Sequence, residues 1–347
     1  MIRKACVFIF TFVFLLFATN LAHADKPNEP DLWKTECIGR YQINLPSEVE
    51  IALIKLNKNK DGTSGELFND GQVASFAHLD YYGDLYVSAQ VAEIEYGQYK
   101  QVLELRNKKS KQEYLNSSDE KKQNWGKQMK PMTYNTSSLF GWDIEDRYPG
   151  LYFYLENRIF IYQPSHGNNA LRKKQFNSVL NDLRPRPLYF LPKQPGVCIP
   201  YGFIADDGTA PRNIAVAMRL IDHPDVEIFF QDGAPSKEPK MAITLFLGGY
   251  VNDEKGINVD FRGYRSITMG EQKGKALFVT IERMDDTIDY GYIAYVKGDV
   301  SAATDTPAQM LFVIRTASRA KGTPVSKDEL KEMTEKIMSS IKRHPEQ

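Results

Sequence analysis

Two cysteines, Cys37 and Cys198, constrain how this 347-residue chain can fold, because each opens a segment of the same character. A polar, proline-bearing stretch precedes each cysteine, and apolar residues typical of a strand follow it. The second cysteine ends the proline-rich part of RPRPLYFLPKQPGVCIPYGFI, residues 184–204, which we interpret as the hinge between two related halves. The two cysteines are 161 positions apart.

Two predicted amphipathic helices repeat at the same offset of 161. Their apolar side chains follow the i, i+3/i+4, i+7 spacing of a helix: Phe176, Val179, Leu180 and Leu183 in the first, and Leu330, Met333, Ile337 and Ile341 in the second. Adding 161 to Phe176 gives Ile337, and adding it to Leu180 gives Ile341. The sequence therefore predicts a duplicated domain, with copies at residues 25–187 and 188–347.

The first 24 residues have the pattern of a signal peptide. Arg3 and Lys4 precede an apolar run, and Ala22-His23-Ala24 places small residues at a cleavage site, so we predict cleavage after Ala24 and export to the periplasm. A retained anchor is the alternative, and a lipoprotein is disfavoured because Cys6 lies before the apolar run. Removing Arg3 and Lys4 leaves 42 basic and 44 acidic residues, without the basic excess of a nucleic-acid-binding protein.

Export leaves Cys37 and Cys198 as the only cysteines. In an oxidising compartment an isolated pair favours one disulfide. It would close a loop of about 160 residues and stabilise the fold by up to roughly 4–5 kcal/mol in the loop-entropy model. Two buried free thiols at equivalent positions of a duplicated fold are the alternative.

Strand patterns dominate both halves and precede each closing helix. Residues 138–163 predict a hairpin with a tight turn at Glu156-Asn157-Arg158, and residues 199–316 predict a series of strands separated by turns. A capping box at Ser326 and Glu329 begins the last helix. Because no regular βαβ alternation appears, we predict an α+β fold, an antiparallel sheet with a packed C-terminal helix, twice.

Catalytic and cofactor motifs are absent from the sequence, so we predict no enzyme activity, metal or cofactor. The Asp222-His223-Pro224-Asp225 cluster and Ser165-His166-Gly167 have the composition of turns, although each could be imagined as a reactive site. A periplasmic hydrolase using Ser165 and His166 and a periplasmic small-ligand or lipid-binding protein are the alternative functions.

Two charged regions are candidates for partner binding. The acidic segment IERMDDTIDYGY contains Asp285, Asp286, Asp289 and Tyr290, which we take as candidate contact residues for a complementary protein. Residues 100–130 carry nine basic and four acidic side chains on a predicted helix and loop. This excess suits an acidic partner or an anionic membrane, and a solvated helix face is the simpler interpretation.

The segments CIGRYQINLP, GVCIPYGFIADDG and RLIDHPDVEIFF, together with the helix-terminated halves, resemble the two-domain immunity proteins that neutralise type VI secretion phospholipase effectors. The resemblance extends from about Cys37 to the last helix. It implies a periplasmic, non-enzymatic inhibitor, monomeric before binding, whose two domains clamp a secreted lipase effector.

Overall fold

The computed structural model describes residues 33–56, 63–74, 77–81, 83–132, 138–143, 150–164, 169–208, 212–233, 256–258, 263–299 and 307–344. The first half contains strands β1–β12 and three helices. The strands are β1 (Lys34–Ile38), β2 (Tyr41–Leu45), β3 (Val49–Ile51), β4 (Leu53–Leu56), β5 (Thr63–Leu67), β6 (His78–Tyr81), β7 (Gly83–Val87), β8 (Lys130–Pro131), β9 (Leu139–Asp143), β10 (Leu151–Leu155), β11 (Arg158–Pro164) and β12 (Leu183–Pro185). The helices are α1 (Glu93–Leu115), α2 (Glu120–Gln128) and α3 (Asn169–Asp182).

The second half contains strands β13–β22, a short 3₁₀ helix and helix α4 (Lys327–Ser340). The strands are β13 (Gly196–Ile199), β14 (Gly202–Ala205), β15 (Arg212–Leu220), β16 (Val226–Gly233), β17 (Gly256–Asn258), β18 (Arg265–Met269), β19 (Gln272–Glu282), β20 (Ile288–Val296), β21 (Ala308–Arg315) and β22 (Lys342–Arg343). The 3₁₀ helix is Ala317–Arg319. The predicted capping box is present at the start of α4, where the Ser326 hydroxyl accepts a hydrogen bond from the Glu329 amide at 3.3 Å.

One 14-stranded antiparallel sheet runs through both halves. Its main path is β17-β19-β20-β21-β16-β15-β6-β7-β11-β10-β9-β8, and β3 and β18 pair at its sides. The halves meet where β15 pairs with β6, with Ile214 opposite Leu79. The α+β class predicted from the sequence is confirmed.

Each half has its own hydrophobic core against its part of the sheet. In the second half Phe229, Leu277 and Phe312 belong to a cluster with neighbouring strand residues. In the first half Tyr96, Tyr99 and other side chains of α1 pack against β9 and β11. Burial of these apolar side chains supplies most of the favourable free energy of each half.

The same strand order occurs in both halves. From the centre outwards, β7-β11-β10-β9-β8 in the first half corresponds to β16-β21-β20-β19-β18 in the second. The opening hairpins also correspond, because Glu36 pairs with Ile43 in β1–β2 and Val197 pairs with Ile204 in β13–β14. Both residues of the second pair lie 161 positions beyond those of the first, which indicates a duplicated structure.

The closing helices correspond at a different offset from the one predicted. Helix α3 begins at Asn169 and α4 at Lys327, so the offset is 158. Phe176 therefore corresponds to buried Thr334, and not to Ile337 as the sequence pattern suggested. A shift of three residues is almost one helical turn, so both alignments place the apolar stripe on the same face.

Each half completes its fold with a strand from the other half. The opening strand β2 pairs with β22, with Tyr41 opposite Arg343, and it also packs against α4. Reciprocally, β14 of the second half pairs with β12 of the first half, with Gly202 opposite Pro185. The hairpin that opens one half thus packs with the elements that close the other half.

The predicted disulfide joins the two opening hairpins. Cys37 and Cys198 are bonded, with their Cα atoms 5.7 Å apart. Beside them, Gly39 and Cys198 exchange two backbone hydrogen bonds of 2.8 Å. Gly39 has a φ of 58°, and a Cβ there would lie only 2.7 Å from that of Asp232, so the turn requires glycine.

Residues 184–204, predicted to be a linker and hinge, are part of the folded structure. Strands β12, β14 and β13 form a three-stranded sheet that includes the ends of this stretch and extends one residue beyond each of them. Arg186, between these strands in sequence, is 3% exposed and contacts the Glu36 carboxylate at 2.6 Å. Arg186 Nη2 also donates to the Cys37 carbonyl at 3.2 Å. A buried ion pair and shared strands leave this stretch no freedom to act as a flexible linker.

We expect the Cys37→Ser/Cys198→Ser variant to lose up to about 4 kcal/mol of unfolding free energy, because the bond constrains a long loop in the unfolded chain. Urea denaturation of the oxidised proteins measures this difference. Reduced wild-type protein is the control and should match the variant. Equal stability of the variant and the oxidised wild type would contradict the prediction.

We expect fragments cut in the exposed turn between Lys193 and Gln194 to fold only together, because each lacks a strand supplied by the other. Residues 33–193 and 194–347 should form a 1:1 complex when co-expressed. Circular dichroism and thermal melting compare each fragment with the complex. Cooperative melting of residues 194–347 alone would show that the exchanged strands are dispensable.

Candidate partner-binding surface

Three connecting segments of the second half come together at one end of its sheet. They are residues 221–225 between β15 and β16, residues 283–287 between β19 and β20, and residues 316–325 after β21. The register aligns them, because Tyr290 pairs with Arg315 and Arg315 pairs with Val226. We call these three segments the loop end.

The turn at residues 283–287 holds two of the four predicted contact residues. Asp285 is fully exposed and accepts hydrogen bonds from the Thr287 hydroxyl at 2.7 Å and the Thr287 amide at 3.0 Å. These bonds lower the pKa of Asp285 below its usual value. Asp286 is exposed in the left-handed region, with a φ of 64°. The turn therefore presents two adjacent carboxylates in a fixed geometry.

The other two predicted residues have structural contacts. Asp289 is fully buried, forms an ion pair with Arg283 and accepts a hydrogen bond from the Ala317 amide at 2.6 Å. Tyr290 is half-buried, with the Arg315 guanidinium 4.4 Å from its ring centroid. Asp289 thereby fastens the 3₁₀ helix to β20 and contributes no exposed charge.

The Asp222-His223-Pro224-Asp225 cluster forms the turn that its composition indicates. Asp222 and His223 are exposed, whereas Asp225 is 2% exposed. The Asp225 carboxylate accepts a hydrogen bond from the Val325 amide at 2.9 Å, and its carbonyl accepts one from the Thr316 amide at 2.8 Å. Asp225 thus holds residues 316–325 against the β15–β16 turn.

Three large apolar side chains are exposed in the loop end or, for Ile288, directly beside it at the start of β20. Ile221 is 51% exposed, Met284 is 64% exposed and Ile288 is 42% exposed. Exposed apolar side chains bordered by fixed polar groups are typical of protein-binding surfaces. Sequence reasoning singled out the carboxylates and Tyr290 here; the signal it missed was Met284, an apolar residue inside a turn.

A cleft of about 480 Å³ lies beside the loop end and has walls from both halves. Glu50 and Asp70 come from the first half, and Ile221, Arg319 and Lys321 come from the second. Openings of this size can receive one or two side chains of a partner.

Arg219 lies in this cleft and ties its two walls together. Its guanidinium contacts Glu50 at 2.6 Å, Asp70 at 2.9 Å and Gln72 at 2.9 Å. It also lies 4.4 Å from the Phe68 ring centroid. The hydrogen bond from Arg219 lowers the pKa of Asp70, so both groups stay ionised near neutral pH.

A buried carboxylate supports the second-half wall. Glu227 is 5% exposed, and burial raises its pKa although Arg319 Nη1 lies 3.1 Å from its Oε2 atom. The ion pair holds the Arg319 side chain at the cleft.

The described part of the chain contains no cluster of three or more histidine, cysteine or acidic side chains that could hold a metal ion. It also contains no helix long and apolar enough to cross a membrane. Ser165 and His166, the residues of the hydrolase alternative, lie outside the described residues.

Comparison with known families matches residues 191–346 to the Tle cognate immunity protein 4 C-terminal domain. No curated protein sequence matches the chain.

Solved structures match nearly the whole chain at low identity. Immunity protein TplEi of the type VI secretion system (T6SS) from Pseudomonas aeruginosa, complexed with "L" peptide, is 16% identical with a TM-score of 0.56, covering 91% of this chain and 99% of that chain. Its apo structure has a TM-score of 0.55 at 14% identity, covering 91% and 98%. A chain of the Tle4–Tli4 complex crystal structure has a TM-score of 0.56 at 16% identity, covering 91% and 99%.

Proposed function

We propose, from the match of residues 191–346 to the Tle cognate immunity protein 4 C-terminal domain, that the chain binds and inhibits a phospholipase effector of a type VI secretion system. The family match is the observation that carries the proposal. The similarity of the fold to T6SS immunity proteins over 91% of the chain supports it.

We further propose that the loop end and the adjacent cleft contact the effector. Met284 and Ile288 would supply buried contact area, while Asp285 and Asp286 at the same turn would select a basic surface on the effector. The cleft, which has walls from both halves, would receive a projecting element of the effector. The clamp predicted from the sequence would thus be this cleft, with one wall from each half.

Inhibition by such a surface requires no chemistry from this chain. A non-catalytic inhibitor acts by occupying the effector surface, and its affinity benefits when its own contact groups are already held in place. Asp225, Asp289 and Arg219 hold the contact segments in this way, through hydrogen bonds and an ion pair to neighbouring segments of the chain. The signal-peptide pattern and the disulfide support a periplasmic location.

We expect co-expression of this protein to restore growth of cells that express a periplasm-directed T6SS phospholipase, preferably one encoded beside it. The reason is that a bound inhibitor keeps the effector from membrane lipids. Growth and phospholipid hydrolysis are measured together, and the purified proteins are tested for a complex. The control is the same protein without residues 1–24, which should stay in the cytoplasm and give no protection.

Persistent toxicity with no complex, tested against the neighbouring effector, would overturn the proposal. Hydrolysis of ester substrates by the purified protein alone would instead favour the hydrolase alternative.

We expect the Met284→Asp/Ile288→Asp variant to bind the effector at least about 30-fold more weakly, since removing central apolar contacts typically costs about 2 kcal/mol or more. Isothermal calorimetry measures the dissociation constant. Ile94→Asp is the matched control, because Ile94 is 73% exposed on α1 in the other half. Equal affinity of the loop-end variant and the control would place the contact elsewhere, provided both melt like the wild type.

A further inference from the structure

Helix α1 and helix α2 form an arm whose outer part has little contact with the sheet. Tyr96, Tyr99 and Leu103 are the buried side chains of α1, and all lie in its first half. From residue 104 onwards α1 packs mainly against α2, and no side chain of α1 is buried there. We call residues 104–130 the helical arm; its end joins the sheet, because Met129 is buried in the first-half core and Lys130 begins β8.

The arm is a well-packed element. A Cβ at Gly126 would lie 2.9 Å from the Leu115 nitrogen, so the two helices approach closely at this glycine. Tyr114 and Trp125 meet edge to face, with ring centroids 6.0 Å apart. Asp119 caps α2 by accepting a hydrogen bond from the Lys121 amide at 2.9 Å. The surface of the arm is therefore fixed in shape.

Positive charge is concentrated on this arm. Residues 104–130 contain eight basic and four acidic side chains, a net charge of +4. The whole chain has 44 basic and 44 acidic residues, so the remainder carries a net charge of −4. Seven of the eight basic side chains are exposed, among them the adjacent pairs Lys108–Lys109 and Lys121–Lys122.

An exposed leucine lies beside two of these lysines. Leu105 is 66% exposed, and Lys108 and Lys109 follow it at i+3 and i+4, on the same side of the helix. The Lys109–Glu113 pair, at 3.8 Å and highly exposed, neutralises little of this charge. An apolar side chain bordered by lysines is typical of helices that lie at a membrane interface.

An anionic bilayer matches both features of the arm. Phosphate headgroups complement the lysine ammonium groups, and the region just beneath them accepts an apolar side chain. An acidic protein surface is the alternative occupant, since exposed apolar side chains bordered by polar groups also mark protein-binding surfaces, and vesicle binding distinguishes the two.

We propose that the helical arm binds anionic phospholipid bilayers, with its lysines on the headgroups and Leu105 entering the interface. The inference does not rest on the proposed inhibition of an effector, since it concerns a different surface and a different ligand.

Flotation with vesicles tests this directly. The mature chain should bind vesicles of 30% phosphatidylglycerol in phosphatidylcholine, and binding should fall at least tenfold between 50 and 300 mM NaCl because salt screens the headgroup charge. Pure phosphatidylcholine vesicles should bind at least tenfold less protein at 50 mM NaCl.

In the Lys108→Glu/Lys109→Glu/Lys121→Glu/Lys122→Glu variant, the amount of protein bound to the anionic vesicles should fall at least tenfold. The matched control, Lys193→Glu/Lys273→Glu/Lys297→Glu/Lys331→Glu, changes the net charge equally at exposed sites outside the arm and should retain most of the binding. Leu105→Ser should weaken binding severalfold and leave the salt dependence unchanged. It provides a second test if the fourfold arm variant does not fold.

Absence of binding to the anionic vesicles at 50 mM NaCl would overturn the proposal. Equal losses in the arm and control variants would also overturn it, because net charge alone would then explain the binding. Unchanged vesicle binding by a folded arm variant that no longer binds the effector would assign the arm to a protein partner instead.

Discussion

The reciprocal pairing of the two opening hairpins at Gly39 and Cys198 is the constraint on which the rest of the structure depends. The Asp232 carboxylate accepts a hydrogen bond from the Arg40 amide at 2.8 Å and pairs with the buried Arg212 guanidinium. A buried carboxylate is tolerated only when its charge and lone pairs are satisfied, so Arg212 and the Gly39 turn must come together for the sheet to form. Displacement of the first hairpin would remove the Arg40 amide from this carboxylate and leave Arg212 as its ion-pair partner.

Because each half pairs with a strand of the other, neither half is a complete structural domain. The segment that matches the family model, residues 191–346, includes α4 and β22 but lacks β2, the strand with which β22 pairs. Its β14 likewise pairs with β12, which precedes the segment. The division at residue 187 remains a prediction about evolutionary units. The physical unit, by its strand pairing, includes both halves.

The sequence was informative where local pattern and fold agree, and misleading where long-range pairing decides. The Cys37–Cys198 disulfide and the capping box at Ser326 were predicted correctly. The capping box depends on residues close in sequence, and the disulfide depends on one covalent bond. The sequence indicated Asp289 as a contact residue for a partner, whereas Asp289 is buried and its neighbour Ile288 is 42% exposed. The reason is the ion pair with Arg283 and the bond to the distant Ala317 amide, which no periodicity reveals.

Rigidity at the seam also bears on how an inhibitor of this architecture works. A clamp that closes on its target loses conformational entropy when its arms become ordered, which reduces the net binding free energy. A preformed cleft avoids this loss. The seam has a disulfide, a continuous sheet and the Arg186–Glu36 pair, in which the two side chains are 2% and 1% exposed. A hinge motion that broke this pair would leave a buried charge without its partner, which is energetically unfavourable. The two halves therefore favour recognition by a fixed shape, and in the proposed complex any adjustment on binding would fall to the effector or to side chains such as Met284.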